Sequence, residues 1–221
     1  MTRGLEIRRL GRVGYAAGLA IMNQAAERLR SGDPAEPERL LLLEHPPVVT
    51  IGRAGGRLLA SAGWLAAHGV GLHEVDRGGG ATWHGPGQVV GYPVVDLRDR
   101  PDVRRFVRDL EEAMIRTCAD LGVAAGRHPL HHGAWVGPRK IGAVGVRVDG
   151  WITSHGFALN VDPDLSHFGA IVPCGIDDPA LGVTSLAAEL ARAGRPAPAQ
   201  GLVEARLAHH VALLLGRRRE A

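Results

Sequence analysis

Apolar positions in this chain recur with two different periods, and the way those periods alternate outlines a mixed fold. Residues 15–30 carry Leu19, Met22, Ala26 and Leu29 on one helical stripe. The run Asp33-Pro34-Ala35-Glu36-Pro37 ends that helix and leads into residues 40–44, where four consecutive leucines before Glu44 read as a buried strand. Pro46-Pro47 turns the chain into a second short strand at 48–51. A helix over 58–67 closed by Gly69, a strand over 70–75 and another over 89–97 come next. The clearest helical period spans residues 103–121, where Val103, Phe106, Val107, Leu110, Met114, Cys118 and Leu121 share a face and Gly122 supplies a C-terminal cap. Cys118 therefore reads as a small core residue. Residues 134–161 are strand-rich and punctuated by glycine, with a turn at Asp149-Gly150, and helices follow at 184–193 and 201–215. Strands and helices mix without a strict strand–helix–strand rhythm. The expected fold class is α/β (α+β), a mixed sheet with packed helices forming a single domain over residues 1–221.

Composition narrows the class. Hydrophobic residues make up 45% of the 221, enough for a full core, and 22% are charged, as in an ordinary globular domain. No apolar run approaches the roughly 20 residues that cross a bilayer. The first residues lack the apolar core of a signal peptide, and two cysteines suggest free thiols. The expectation is a cytoplasmic protein. Net charge is only +3, part of it in Arg217-Arg218-Arg219. With aromatics at 4%, no aromatic-interleaved basic stripe points to nucleic acid. A mildly basic surface favours an acidic protein partner by steering.

Candidate chemistry starts from Lys140. The chain has 26 Lys and Arg residues, and Lys140 is the single lysine. A guanidinium is permanently protonated, so a kept primary amine points to proton transfer. Downstream, Pro173-Cys174-Gly175 places a thiol in a sharp turn. An ordinary thiol is only roughly 3% thiolate at pH 7, and a nearby ammonium raises that fraction. A Cys174–Lys140 pair could then attack a thioester, although the two are separated by 34 positions that the fold must close. The segment from Arg77 to Gln88 holds five glycines between positions 78 and 87. That density suits close backbone approach to a ligand. It matches neither a P-loop nor a dinucleotide fingerprint. His128-Pro129-Leu130-His131-His132 is the densest histidine cluster, but it lacks metal-ligand spacing, and no metal is expected. His155 is a possible additional site residue, as a base for Cys174 or as pocket lining.

Taken together, the block from Arg77 to Gln88, Lys140-Ile141, Ser154-His155-Gly156-Phe157-Ala158-Leu159-Asn160 and Pro173-Cys174-Gly175 resemble the lipoyl(octanoyl) transferase family in content, order and spacing. The resemblance covers roughly residues 44–186. It implies a catalytic domain with the fold of biotin and lipoate protein ligases. It also implies transfer of an octanoyl group from octanoyl-acyl carrier protein to a lysine of lipoyl domains, those of 2-oxoacid dehydrogenase complexes and the glycine cleavage H protein. No cofactor is implied beyond the phosphopantetheine that the carrier brings, and neither nucleic acid nor membrane is a partner. On this resemblance Cys174 is the acyl-thioester nucleophile and Lys140 the residue that lowers its pKa. The implied substrate-binding positions are Arg77, Gly78, Gly79, Gly80, Ala81, Thr82, Trp83, His84, Ala143, Val144, Gly145, Gly156, Phe157 and Ala158. Two departures stand out: Trp83 where the family has tyrosine, and His131-His132-Gly133 leading into Ala134-Trp135-Val136. The first is expected to bear on the chain-length pocket, and neither to touch the catalytic pair. The rival readings are an ATP-dependent lipoate ligase, a Cys–His thioesterase using His155, and a non-enzymatic binder of acyl carrier protein or of metal.

Overall fold

Four consecutive leucines, Leu40, Leu41, Leu42 and Leu43, can all be buried only if their strand is covered on both faces, and this requirement organises the molecule. The computed structural model describes residues 3–33, 35–172, 178 and 180–220. In chain order the elements are β1 (Gly4–Arg12), α1 (Tyr15–Arg30), β2 (Glu38–Glu44), β3 (Val48–Ile51), α2 (Ala62–Ala67), β4 (Gly71–Glu74), β5 (Ala81–His84) and β6 (Gln88–Val94). They continue with α3 (Val103–Asp120), β7 (Ala134–Val136), β8 (Arg139–Asp149), β9 (Ile152–Asn160), a 3-10 turn (Leu165–Ala170), β10 (Gly182–Val183), α4 (Leu186–Arg192), α5 (Gln200–Leu214) and β11 (Arg218–Glu220).

Among the described residues, the large sheet runs β10-β8-β9-β6-β2-β1-β11, with β7 also paired to β8. The β1–β2, β1–β11 and β8–β10 pairs are parallel and the others antiparallel, so the sheet is mixed as expected. Leu40 and Leu42 point into a core closed by α3, α4 and α5, whereas Leu41 and Leu43 point into a second core under α1. Burying each leucine is worth roughly 2 kcal/mol. Helix α3 starts at Asp102, whose carboxylate accepts the Arg105 N–H at 2.9 Å. Its buried stripe includes Phe106, Leu110, Met114 and Cys118. Gly122, at φ +80°, follows its end. A smaller sheet, β4-β3-β5, packs with α2 and the 3-10 turn around a third core containing Val49, Trp83 and Phe168. No helix among the described residues is long and apolar enough to cross a membrane.

The structure corrects the sequence reading in four places. The helix expected from residue 58 begins only after Ser61, whose hydroxyl caps Trp64 N–H at 3.1 Å. Before it, Leu58 bridges Ile171, and the N–H groups of Leu59 and Ala60 donate to the Ala170 carbonyl. The β8–β9 hairpin turns on Gly150 and Trp151, both at positive φ, as a two-residue loop of the mirror-image type requires. β1 was not expected, because arginines at positions 8, 9 and 12 hide its pattern. Within the arginine run 217–219, Arg218 and Arg219 are exposed, but Arg217 is tied down. Arg217 donates from Nη2 to buried Glu38 at 3.1 Å, and β11 pairs with β1.

Candidate active site

The glycine-rich segment is clamped between a turn at residues 52–54 and β8. Arg53 N–H donates to the Arg77 carbonyl (2.9 Å), Ala54 N–H to that of Gly79 (3.1 Å), and Gly78 N–H to that of Val146 (2.9 Å). Gly79 adopts φ +81°, and a Cβ on Gly52 would lie 2.4 Å from the Gly79 oxygen. Arg77 is buried. It donates from Nη2 to the Thr50 hydroxyl at 2.7 Å and from Nη1 to the Gly78 carbonyl at 3.0 Å. The guanidinium thus ties the loop to β3.

Beyond the loop, β5 alternates. Thr82 and His84 face a narrow pocket, whereas Ala81 and Trp83 turn into the third core. Trp83 is 1% exposed and packs on Phe168 with ring centroids 5.3 Å apart. The expected influence of its side chain on the chain-length pocket is therefore not what the structure places there. The pocket encloses about 30 Å³ and is walled by Val90, Tyr92 and residues 143–145 and 155–158. Arg77 and Tyr15 complete its lining. Ten of the sequence-predicted positions meet here: Arg77, Thr82, His84, Ala143, Val144, Gly145, His155, Gly156, Phe157 and Ala158. Tyr15 and Tyr92 were missed. Both come from elements whose apolar stripes explained them as core.

The histidines and tyrosines lining this pocket are held uncharged. Burial pushes His84 down to about 3 and His155 down to about 4, the Arg77 charge adding to the second effect. Burial lowers His45 too, and it raises Tyr15 to about 12 and Tyr92 well above its ordinary value. The hydrogen bonds assign the tautomers. Gln88 donates its amide N–H to Asn160 Oδ1 at 2.8 Å, so its oxygen accepts from His84 Nδ1–H at 2.6 Å. His45 Nδ1–H donates to the Val13 carbonyl at 2.7 Å, which leaves Nε2 to accept the Tyr92 hydroxyl at 2.8 Å. His155 sits at φ +57° within β9, an uncommon conformation for a side chain with a Cβ, and its N–H points at Met22 Sδ. The result is a small pocket whose histidines and tyrosines carry no charge.

Lys140 lies on β8, 8% exposed, with Nζ over the Trp135 ring at 5.5 Å from the centroid. It borders a wide groove lined by Gly78, Gly79 and Gly80, by residues 144–146 and by the exposed side of α3. It also borders a smaller cleft of about 220 Å³ floored by Trp135, Phe168 and Val183. Val144 and Gly145 line both the groove and the narrow pocket, whereas Lys140 lines the groove and the cleft. Cys174 and its neighbours Pro173 and Gly175 lie outside the described residues. Cys118, the other thiol, is fully buried in α3, and burial pushes it up to about 12. It is no nucleophile. Among the described residues no cluster of His, Cys, Asp and Glu is arranged to hold a metal ion. His128 and His131 instead stack on each other beside Trp135. The structure also corrects one expectation about the His131-His132-Gly133 departure. A Cβ on Gly133 would lie 2.8 Å from Lys140 Cε, so this segment does touch the lysine of the pair.

This architecture is that of the lipoate and biotin protein ligases. The chain superposes on the Thermoplasma acidophilum bi-partite lipoate protein ligase, studied with its E2 lipoyl domain, at TM-score 0.69 and 18% identity, covering 100% of this chain and 88% of that one. On the biotin protein ligase of Aquifex aeolicus the TM-score is 0.51 at 10% identity, covering 97% and 70%. The chain belongs to the lipoyl protein ligase A/B catalytic domain family, whose model matches residues 14–211. It is 52% identical over 189 residues to an octanoyltransferase of Solibacter usitatus, with 84% of each chain covered. It is 50% identical over 202 residues to an octanoyltransferase of Acidobacterium capsulatum, covering 84% of this chain and 80% of the relative.

Proposed function

We propose that this protein is an octanoyltransferase that forms a thioester on Cys174, taking octanoyl from the phosphopantetheine thiol of an acyl carrier protein and passing it to a lysine of a lipoyl domain. This is the octanoyl-transfer step of lipoate biosynthesis. The observation that carries the reading is the convergence of ten sequence-predicted positions on one narrow pocket, which shares Val144 and Gly145 with the groove that Lys140 lines. Burying each methylene of an acyl chain against such apolar walls is worth about 0.8 kcal/mol. The neutral states of His84 and His155 leave no bare charge against it.

In the proposed chemistry the Cys174 thiolate attacks the thioester carbonyl, the carbon–sulfur bond to the carrier breaks, and the departing thiolate takes a proton from the Lys140 ammonium. Lys140, now neutral, accepts a proton from the acceptor's attacking amine, and the amide forms as Cys174 leaves as thiolate. The donor thioester is already activated, so the scheme calls for neither ATP nor a metal.

The test is to incubate the protein with octanoyl-acyl carrier protein without ATP and record peptide mass spectra. One octanoyl group on the Cys174 peptide, discharged by apo lipoyl domain, is expected. Transfer that appears only with free octanoate and ATP would replace this reading with the ligase. Release of free octanoate without acceptor modification would replace it with the thioesterase.

A further inference from the structure

Glu111 is a buried carboxylate that the transfer chemistry above does not use. It projects from α3, is 3% exposed, and reaches across to the segment before β7. Its Oε1 accepts Gly133 N–H at 2.9 Å and lies 3.1 Å from His132 Nδ1. Its Oε2 accepts Arg127 Nε at 3.3 Å. A carboxylate taken from water needs such compensation, and here three donors converge on one side chain.

What those donors hold in place is the wall against Lys140. Gly133 has φ +116°, and a Cβ there would lie 2.3 Å from the Gly142 oxygen and 2.8 Å from Lys140 Cε. No other residue fits. Two residues on, Trp135 offers its ring to Nζ. The lysine stem therefore runs between the Gly133 backbone and the indole, and the segment carrying both is fastened to α3 through Glu111.

We infer that Glu111 is a positioning residue, which through Gly133 and Trp135 holds the Lys140 amine in the geometry that proton transfer requires. The role in turnover rests on the acyl-transfer reading, but the placement of the lysine does not.

Because the chain contains one lysine, labelling with ¹³C-lysine gives one ε-methylene signal in an NMR spectrum. That signal reports the amine's surroundings without reference to activity. In the wild-type protein it is expected to be sharp and shifted by the Trp135 ring current. Glu111→Ala should move it toward the free-lysine position and lower kcat on the order of 10- to 100-fold with KM for the donor nearly unchanged. Glu111→Gln keeps an oxygen for Gly133 N–H and should restore most of both. Should Glu111→Ala fail to fold, Arg127→Ala, at a half-exposed position, should move the signal in the same direction by less. A folded Glu111→Ala with the wild-type lysine signal and wild-type kcat would overturn the inference, as would an unmoved signal in Arg127→Ala. If Cys174 never acylates, the transfer reading falls while the lysine signal still decides the placement.

Discussion

The narrow pocket and the groove beside it share Val144 and Gly145 yet treat charge in opposite ways. In the pocket, burial holds His84 and His155 in their neutral forms and the Tyr15 and Tyr92 hydroxyls protonated, and it lowers His45, the hydrogen-bond partner of Tyr92, as well. Its one permanent charge, Arg77, spends its hydrogen bonds on Thr50 and a backbone carbonyl. In the groove, charged groups have partners: Asp109 meets Arg105 at 3.7 Å, and the Lys140 amine lies over an indole face. The proposed chemistry, with an apolar chain and a proton-transferring amine, calls for these two environments, and β8 contributes to both.

The sharpest way to break the comparison is Lys140→Arg, which keeps the groove's charge and removes its exchangeable proton. Turnover should fall on the order of 1,000-fold, read as the rate of octanoyl transfer to a lipoyl domain. Next comes Gly145→Ala, at the junction itself. A Cβ there would meet the Gly78 oxygen at 2.8 Å and Arg77 Cδ at 3.2 Å, so the glycine loop must shift off β8. We expect kcat/KM for octanoyl donors to drop on the order of 10- to 100-fold, with a smaller loss for a butyryl donor. Cys118→Ala should lower the stability found from urea midpoints by about 1–2 kcal/mol, the effect of a small cavity in the α3 core, and leave acyl transfer unchanged.

The last effect is a pH slope. His155 binds its proton less readily in the fold than in the unfolded chain, so the unfolded state takes up the extra proton as pH falls. Its contribution is fully present above about pH 6.5 and is lost as pH drops toward 4. His155→Asn tolerates the positive φ and should flatten the urea-midpoint profile in that window by up to about 1.4 kcal/mol per pH unit. An unchanged profile would show that this histidine is not held neutral.

Much of this was legible along the chain where one residue's neighbours in sequence carry the signal. The apolar patterns of α1, β2, β3, α3 and α5 read directly, because each buries apolar side chains in one of the three cores. β1 did not, since Arg9 and Arg12 answer Glu204 and Glu44, partners far along the chain. The same limit governs the site. Lys140, Arg77 and the glycine blocks were visible as chemistry, and ten positions converge on one pocket. Tyr15 and Tyr92 reach that pocket only through the packing of α1 on β6, and Glu111 reaches Gly133 across 22 positions. Trp83 shows the converse. A residue inside a binding block can still turn its side chain away, because a strand alternates.

The three-residue β11 has a consequence for how molecules of this protein behave toward one another. It pairs with residues 4–6 of β1, while Arg9, farther along, is drawn 3.4 Å from Glu204 of α5. The outer border of the large sheet is thereby too short and too charged to recruit a strand from a neighbouring molecule. Removing residues 217–220 would uncover a row of unpaired N–H and C=O groups along Gly4, Leu5 and Glu6, and release Glu38 from Arg217. Such a chain would keep its catalytic architecture and lose its colloidal restraint, self-associating through β1 as its concentration rises.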